Sequence, residues 1–220
     1  DAKGGIAIVT QPGTGEVLAM ANVVRDEETG DVLVGTNNAA LATQYEPGSV
    51  IKPVTAAAAL EEKTTDTKRT YYLPPYLQRY DYEFIEAEPR GAVTWNLPTI
   101  LAQSSNVGTI LVAEELGADR LYQYQRGFGL GEKTALDFPK EARGVVRDSA
   151  DYSGTSLPSI AIGQGISVTP MQMLMAYNVI ANEGVYVAPN LVHSTTGADG
   201  VEHRTPVAEG RRVVSAATAN

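Results

Sequence analysis

A chain of 220 residues with 43% hydrophobic side chains is long enough for one or two packed domains, and no run in it approaches the roughly 18 apolar residues of a membrane span. Its 17 basic and 26 acidic residues leave a net charge of −9, which disfavours nucleic acid as a partner, because binding to a phosphate backbone depends on neutralisation by Lys and Arg. With no Cys, disulfides, thiolate zinc sites and cysteine nucleophiles are excluded, and the compartment stays open.

The first residues, DAKGGIAIV, lack the basic, apolar and small-residue order of a signal peptide. From Gly4 the sequence GGIAIVTQPGTGEVLAMANVV sets two apolar runs, Ile6 to Val9 and Val17 to Ala21, on either side of Pro12-Gly13-Thr14-Gly15, the pattern of a hairpin. Both strand faces are apolar, so both are expected to be covered. A lone hairpin is marginal in water, and the next strand candidate, GVYVAPNLVHS at 184–194, is interrupted by Pro189. The sheet therefore reads as incomplete.

Helical signals dominate the middle. Val50 to Glu62 holds the high-propensity run Ala56 to Leu60. Residues 64–92 lose that pattern around Pro74-Pro75 and a cluster of tyrosines between 71 and 82, and read as an irregular loop or lid. Two helices are predicted at about 97–104, with Pro98 in the first turn, and about 106–116, with Val107, Ile110, Leu111 and Leu116 on one face and Gly117 as the stop. The clearest helix has Thr169 as N-cap, Pro170 at its first position and Gly184 just past its end. Ser215 reads as the N-cap of a helix just begun when the sequence stops. The organisation expected is one partial domain over 1–220: a hairpin and lead-in at 1–45, a mainly helical subdomain at 46–183, and a strand or hairpin plus the start of a C-terminal helix at 184–220.

Chemistry-bearing residues are few. In YEPGSVIKP, Ser49 and Lys52 lie three apart, and i and i+3 share a helix face. Pro47-Gly48 places Ser49 at a helix N-terminus, where the dipole favours an oxyanion and disfavours an ammonium. A lysine of lowered pKa can take the proton of a serine nucleophile. The plain alternative is an N-capping Ser followed by a surface Lys, and the tetrapeptide alone does not decide. LAQSSNVG puts Ser104, Ser105 and Asn106 at the junction of two helices; either Ser105 or Asn106 caps the second, or Ser104 relays a proton while Asn106 holds Lys52 and a substrate amide.

Other candidates carry less. His193 and His203 bracket a turn and read as the ends of a surface hairpin. GFGLGEKT has Glu132 where a phosphate-binding loop needs Gly, and reads as a turn. Met171, Met173 and Met175 read as core, and the tyrosine cluster as a lid packed on itself.

Together YEPGSVIKP, LAQSSNVG and SIAIGQGISVTPMQMLMAYNVIANEGVYVAPNLV resemble the transpeptidase domain of penicillin-binding proteins, particularly the monofunctional class B type of elongation or division. KGGIAIVTQPGTGEVLAMAN is similar to that domain's opening hairpin. The resemblance implies an α+β (α/β mixed) fold, an antiparallel sheet covered by helices with its C-terminal strands missing here. It also implies an acyl-serine D,D-transpeptidase acting on peptidoglycan stem peptides that end in D-Ala-D-Ala. Ser49 is then the nucleophile, Lys52 its base, and Ser104 with Asn106 the second motif. Beta-lactams would acylate Ser49. No metal or organic cofactor is implied, and cell-wall synthesis proteins are the expected partners. The expected location is the extracytoplasmic face of the cell membrane, through an N-terminal anchor absent from this sequence.

The family's third motif, Lys-Thr-Gly or Lys-Ser-Gly, is not present; Lys133-Thr134-Ala135 is close in letters only and precedes LDFP, the wrong context. The expectation is that this motif lies beyond Asn220. Two alternatives stand beside the transpeptidase. A serine beta-lactamase or beta-lactam sensor shares Ser-x-x-Lys, but class A enzymes need an E-x-x-L-N setting not found here, and class D enzymes typically carry Val at the position of Asn106. An inactive cell-wall scaffold fits the missing third motif and is opposed by the intact Ser49, Lys52, Ser104 and Asn106.

Overall fold

The structure, a computed structural model, describes residues 2–220, so residue 1 of the expected lead-in lies outside the described residues. The opening hairpin forms: β1 (Gly4–Thr10) pairs antiparallel with β2 (Val17–Arg25), with Ile8 opposite Met20 and Val9 opposite Ala19. The register then slips, so that Thr10 faces Val17 and Leu18 is the extra residue of a bulge. That bulge returns Val17 and Met20, three residues apart, to the same face. β3 (Val32–Val34), too short to stand out in the sequence, adds a third strand beside β2. Helix α1 (Ala39–Ala42) follows and brings Leu41 under the sheet, where Ile8, Val17 and Met20 meet Leu41, Met171 and Met175. The opposite face departs from the expectation of cover on both sides: Val9 is 52% and Val34 82% exposed.

A 3-10 turn at Gly48–Ile51 runs into α2 (Lys52–Glu61), in which seven of ten residues are buried. Five of the seven are apolar, among them the alanines from Ala56 to Ala59, which let neighbours approach, while the two polar ones, Lys52 and Thr55, are hydrogen-bonded. Ala57 and Ala58 face a core with Phe128, Leu130, Ile160 and Val179; Ala56 and Ala59 face a second with Ile100, Val107 and Ile110.

The stretch expected to be an irregular loop or lid instead holds three strands, β4 (Thr70–Leu73), β5 (Tyr76–Arg79) and β6 (Tyr82–Ile85), and is followed directly by β7 (Val93–Asn96), with β4 pairing antiparallel with β7 and β5 with β6. The cause is alternation: Tyr71, Leu73, Leu77 and Phe84 point into the second core while Tyr72, Tyr76 and Tyr82 point to solvent. Pro74-Pro75 falls between two strands, where a missing N–H does no harm.

Then come α3 (Leu97–Ala102), α4 (Asn106–Leu116) and α5 (Ala118–Gly127), with Gly117 ending α4 as expected. α6 (Ser156–Ala161) precedes α7 (Pro170–Ala181), whose Thr169 and Gln172 form a reciprocal capping box. β8 (Val185–Tyr186) does not extend the N-terminal sheet; segment 184–194 joins it by one backbone bridge, between Asn190 and Glu16, and packs Tyr186 under it. β9 (Ser194–Thr196) and β10 (Glu202–Arg204) form the surface hairpin foreseen around the histidines. β11 (Arg211–Arg212) pairs with β8, and α8 (Ala216–Ala219) starts at Ser215, whose Oγ accepts from Thr218 N at 3.3 Å. No helix among the described residues is long and apolar enough to cross a membrane.

The lead into α2 is clamped to the segment before α7. Tyr45 and Val168 exchange backbone hydrogen bonds at 3.0 Å each way, Gly165 N donates to Glu46 Oε1 at 2.8 Å, and Gly48 N donates to Gly163 O at 3.0 Å. Gly163 has φ +83°, and a Cβ there would lie 2.2 Å from Gly48 O. Backbone cannot yield as a side-chain tip can, so Gly163→Ala is expected to lower stability by at least about 2 kcal/mol through left-handed strain and overpacking. A urea unfolding midpoint equal to that of the wild type would contradict this account of the clamp.

Candidate active site

The clamp fixes where Ser49 and Lys52 stand. Ser49 is exposed on the 3-10 turn, and Lys52, the first residue of α2, is only 2% exposed. Pro53 falls in the first helical turn, where its absent N–H leaves no intrahelical bond unmade. Two further contacts hold this end of α2: Tyr177 Oη donates to Val50 O at 2.9 Å, and Thr55 Oγ1 to Ala161 O at 3.1 Å. Lys52 is thus not the surface lysine of the plain alternative.

Its ammonium instead reaches across to the junction of α3 and α4. Nζ donates to the carbonyl oxygen of Ser104, to Ser104 Oγ at 3.2 Å and to Asn106 Oδ1 at 2.8 Å. A lysine has three donors and no acceptor, so these contacts match the full capacity of the charged form. Among the described hydrogen bonds none joins Lys52 to Ser49. The structure therefore brings Lys52, Ser104 and Asn106 into one constellation and leaves Ser49 one turn away at its open edge.

The junction itself is a helix stop followed by a helix start. α3 ends with Ser105 N donating to Ile100 O at 2.9 Å and Ser104 N to Leu101 O at 3.0 Å. These are the six-to-one and five-to-two bonds of a Schellman motif, whose left-handed position is usually Gly. Here Ser104 occupies it, with φ +50°. Ser105 then caps α4, its Oγ accepting from Gly108 N at 2.9 Å. Asn106 is the first residue of α4, and its Nδ2 donates to Ile85 O at 2.8 Å, which turns Oδ1 toward Lys52.

One residue of this network was not found by sequence reasoning. Glu86, at the end of β6, is 7% exposed; its Oε1 accepts from Ser105 Oγ at 2.6 Å, its Oε2 from Asn106 N at 2.6 Å, and Arg90 pairs with it. Arg90 in turn stacks over Trp95, 4.7 Å from the ring centroid. Residues Glu88, Arg90, Trp95, Gln103 and Ser104 line a cleft of about 530 Å³ beside the junction. Burial lowers the Lys52 pKa to about 8, against the opposing pull of the Glu86 charge. The ammonium is thereby brought near the point where it releases a proton close to neutral pH.

The remaining candidates lie elsewhere. His193 is exposed and pairs with Glu16 at 2.6 Å, and His203 stands in β10 opposite Thr195. Thr134 is buried away from the site, with its N and Oγ1 bonded to Glu141 at 2.6 and 2.7 Å. Met171, Met173 and Met175 are core.

The family model described as the penicillin binding protein transpeptidase domain matches residues 5–220. The chain is 36% identical over 222 residues to penicillin-binding protein PbpB of Mycolicibacterium smegmatis, covering 99% of this chain and 34% of that protein. It is 31% identical over 173 residues to peptidoglycan D,D-transpeptidase MrdA of Acinetobacter baumannii, covering 73% of this chain and 26% of the relative. Among solved structures, penicillin binding protein 3 of Mycobacterium tuberculosis in complex with aztreonam superposes with a TM-score of 0.91 at 35% identity, over 99% of this chain and 50% of that one. The chain thus spans about a third of the length of the first curated relatives it matches.

The two neighbouring serines should differ in how much their substitution costs. Ser104→Gly relieves left-handed strain but takes from buried Lys52 one of its three acceptors, so the opposing effects are expected to leave stability within about 1 kcal/mol of wild type. Ser105→Ala removes a cap and one of the two donors to Glu86 Oε1, leaving Arg90 as the other, and is expected to cost about 1–2 kcal/mol. Chemical unfolding of the two variants side by side checks the contrast.

Proposed function

We propose that this chain, which belongs to the penicillin-binding protein transpeptidase domain family, carries the acyl-serine machinery of a D,D-transpeptidase that cross-links peptidoglycan stem peptides. The observation that carries the reading is the buried lysine: Lys52, held by Ser104 and Asn106 and lowered to about 8, has no purpose in a surface cap.

Ser49 attacks the carbonyl of the penultimate D-Ala of a donor stem, and its hydroxyl proton passes to neutral Lys52. The Ser49 N–H at the start of the 3-10 turn offers a donor to the oxyanion. As the tetrahedral intermediate collapses, the C–N bond to the terminal D-Ala breaks, and Ser104 relays the proton from Lys52 to the departing amine. Asn106 keeps Lys52 in register through Oδ1, and the second hydrogen of Nδ2, beyond the one given to Ile85 O, is the donor it offers to the substrate backbone. An amine from a second stem then takes the acyl group from Ser49 and forms the cross-link. A beta-lactam enters the same first step, but its leaving amine stays tethered, so the acyl-enzyme persists. Support for beta-lactam binding comes from the aztreonam complex of the Mycobacterium tuberculosis relative, and support for the reaction from the name of the Acinetobacter baumannii one. The protein works at the outer face of the cell membrane, among other proteins of wall synthesis.

Intact mass of the protein after benzylpenicillin is expected to rise by one penicilloyl group, mapped to Ser49, with a lifetime of minutes to hours. Ser49→Ala should abolish the adduct, and Lys52→Ala should slow its formation at least about a hundredfold. A wild-type protein that stays unmodified would end the reading; an adduct hydrolysed within a second would move it to a beta-lactamase.

The pH profile follows from the lysine. Below about 8, Lys52 is protonated and cannot accept the serine proton, so the acylation rate should climb about tenfold per pH unit and level off above that value. A rate independent of pH between 6 and 9, measured by stopped-flow acylation, would remove Lys52 from the role of base.

A further inference from the structure

We infer that Glu86 is a positioning residue for the acyl-transfer site, the buried anion that fixes the geometry of Ser104, Ser105 and Asn106 around Lys52. The inference rests on the proposed function for its meaning, and on its own contacts for its argument.

The carboxylate lies between two elements that share no covalent neighbourhood. It closes β6, and with its two oxygens it takes Ser105 Oγ at 2.6 Å and Asn106 N at 2.6 Å, the cap and first residue of α4. The preceding residue finishes the grip, since Ile85 O accepts from Asn106 Nδ2 at 2.8 Å. An amide has one oxygen and one NH2; once Nδ2 is bound to Ile85, Oδ1 is committed to Lys52. The end of one strand therefore sets both the main-chain position and the side-chain orientation of Asn106. The same residues stand next to the left-handed Ser104, whose Oγ and carbonyl complete the lysine's partners.

A neutral residue could supply one acceptor here, but not two acceptor oxygens together with a charge. Arg90, four residues on in the same loop, compensates that charge directly. From α2 the facing charged group is Lys52; from α4 the groups presented are the neutral donors of Ser105 and Asn106; Glu88 lines the adjoining cleft. The Glu86 anion opposes the loss of the Lys52 proton, so its removal should lower the pH at which Lys52 becomes neutral.

The test uses the intact protein and compares wild type with Glu86→Gln and Glu86→Asp, the Gln keeping size without charge and the Asp keeping charge with a shorter reach. Two readouts are followed: the rate of penicilloyl-Ser49 formation from pH 6 to 10, and the titration of Lys52 by NMR of protein labelled at the lysine ε-carbon. Glu86→Gln is expected to acylate about 10- to 100-fold more slowly on the plateau, the cost of a loosened geometry. Its Lys52 titration and rising limb should both move to lower pH, and Glu86→Asp should restore the position of the limb with only part of the rate. A Glu86→Gln protein of wild-type thermal stability that acylates at the wild-type rate with an unmoved titration would overturn the inference. So would a loss of rate that merely tracks lost stability while the titration stays in place. If wild type itself forms no adduct, the functional reading fails, and the NMR titration alone still decides whether Glu86 governs Lys52.

Discussion

An ammonium taken out of water must be given its full set of acceptors or surrender its proton, and the arrangement around Lys52 answers that demand. Its three donors meet the carbonyl and hydroxyl of Ser104 and the amide oxygen of Asn106. All three acceptors come from one helix junction more than fifty residues away, so the lysine can be buried only if α2 and the α3–α4 turn are held side by side. The alanine face of α2 permits that approach, the second core with Ile100, Val107 and Ile110 drives it, and the clamp through Gly163 sets how far α2 reaches. The packing of this half of the molecule is thereby tied to one side chain.

The junction illustrates how local rules are bent at the proposed site. A Schellman stop is most comfortable with Gly in its left-handed position, and Ser104 accepts strain of about 1–2 kcal/mol there. What the strain secures is a hydroxyl and a carbonyl turned to the same side, which a serine in helical conformation does not offer. Backbone outliers supported by their surroundings are common where function is placed, and this one is held by the cap at Ser105 on its far side.

How much of this was legible in sequence depends on the range over which each interaction acts. Ser49 and Lys52 stand out because their relation is local, three residues on one helical turn; Thr169, Pro170 and Gln172 declare α7 for the same reason. Ser105 as a cap was one of two options, and the structure selects it over Asn106. The strands between Thr70 and Asn96 were misread because Pro74-Pro75 outweighed an alternation that Tyr71, Leu73, Leu77 and Phe84 did carry, and because tyrosine favours strands as well as lids. Glu86 gave little signal: in FIEAEPR it is one acidic residue in a polar loop with Arg90 four positions on, and its partners at the junction stand 19 and 20 positions away.

That the carboxylate stands behind the junction and not against the lysine is the point on which the electrostatics turn. A direct Lys–Glu contact would favour the charged lysine and hold its proton well above neutral pH. Removing the anion altogether would leave the cap of α4 and the first N–H of that helix without their acceptor. Glu86 meets the second need through Ser105 and Asn106, and Arg90 pairs with it from the same loop. Burial can then lower the Lys52 pKa to about 8 despite an acid in the neighbourhood. The same carboxylate holds the geometry of the second motif and pulls the lysine pKa upward, and burial, the larger effect, still brings that pKa down.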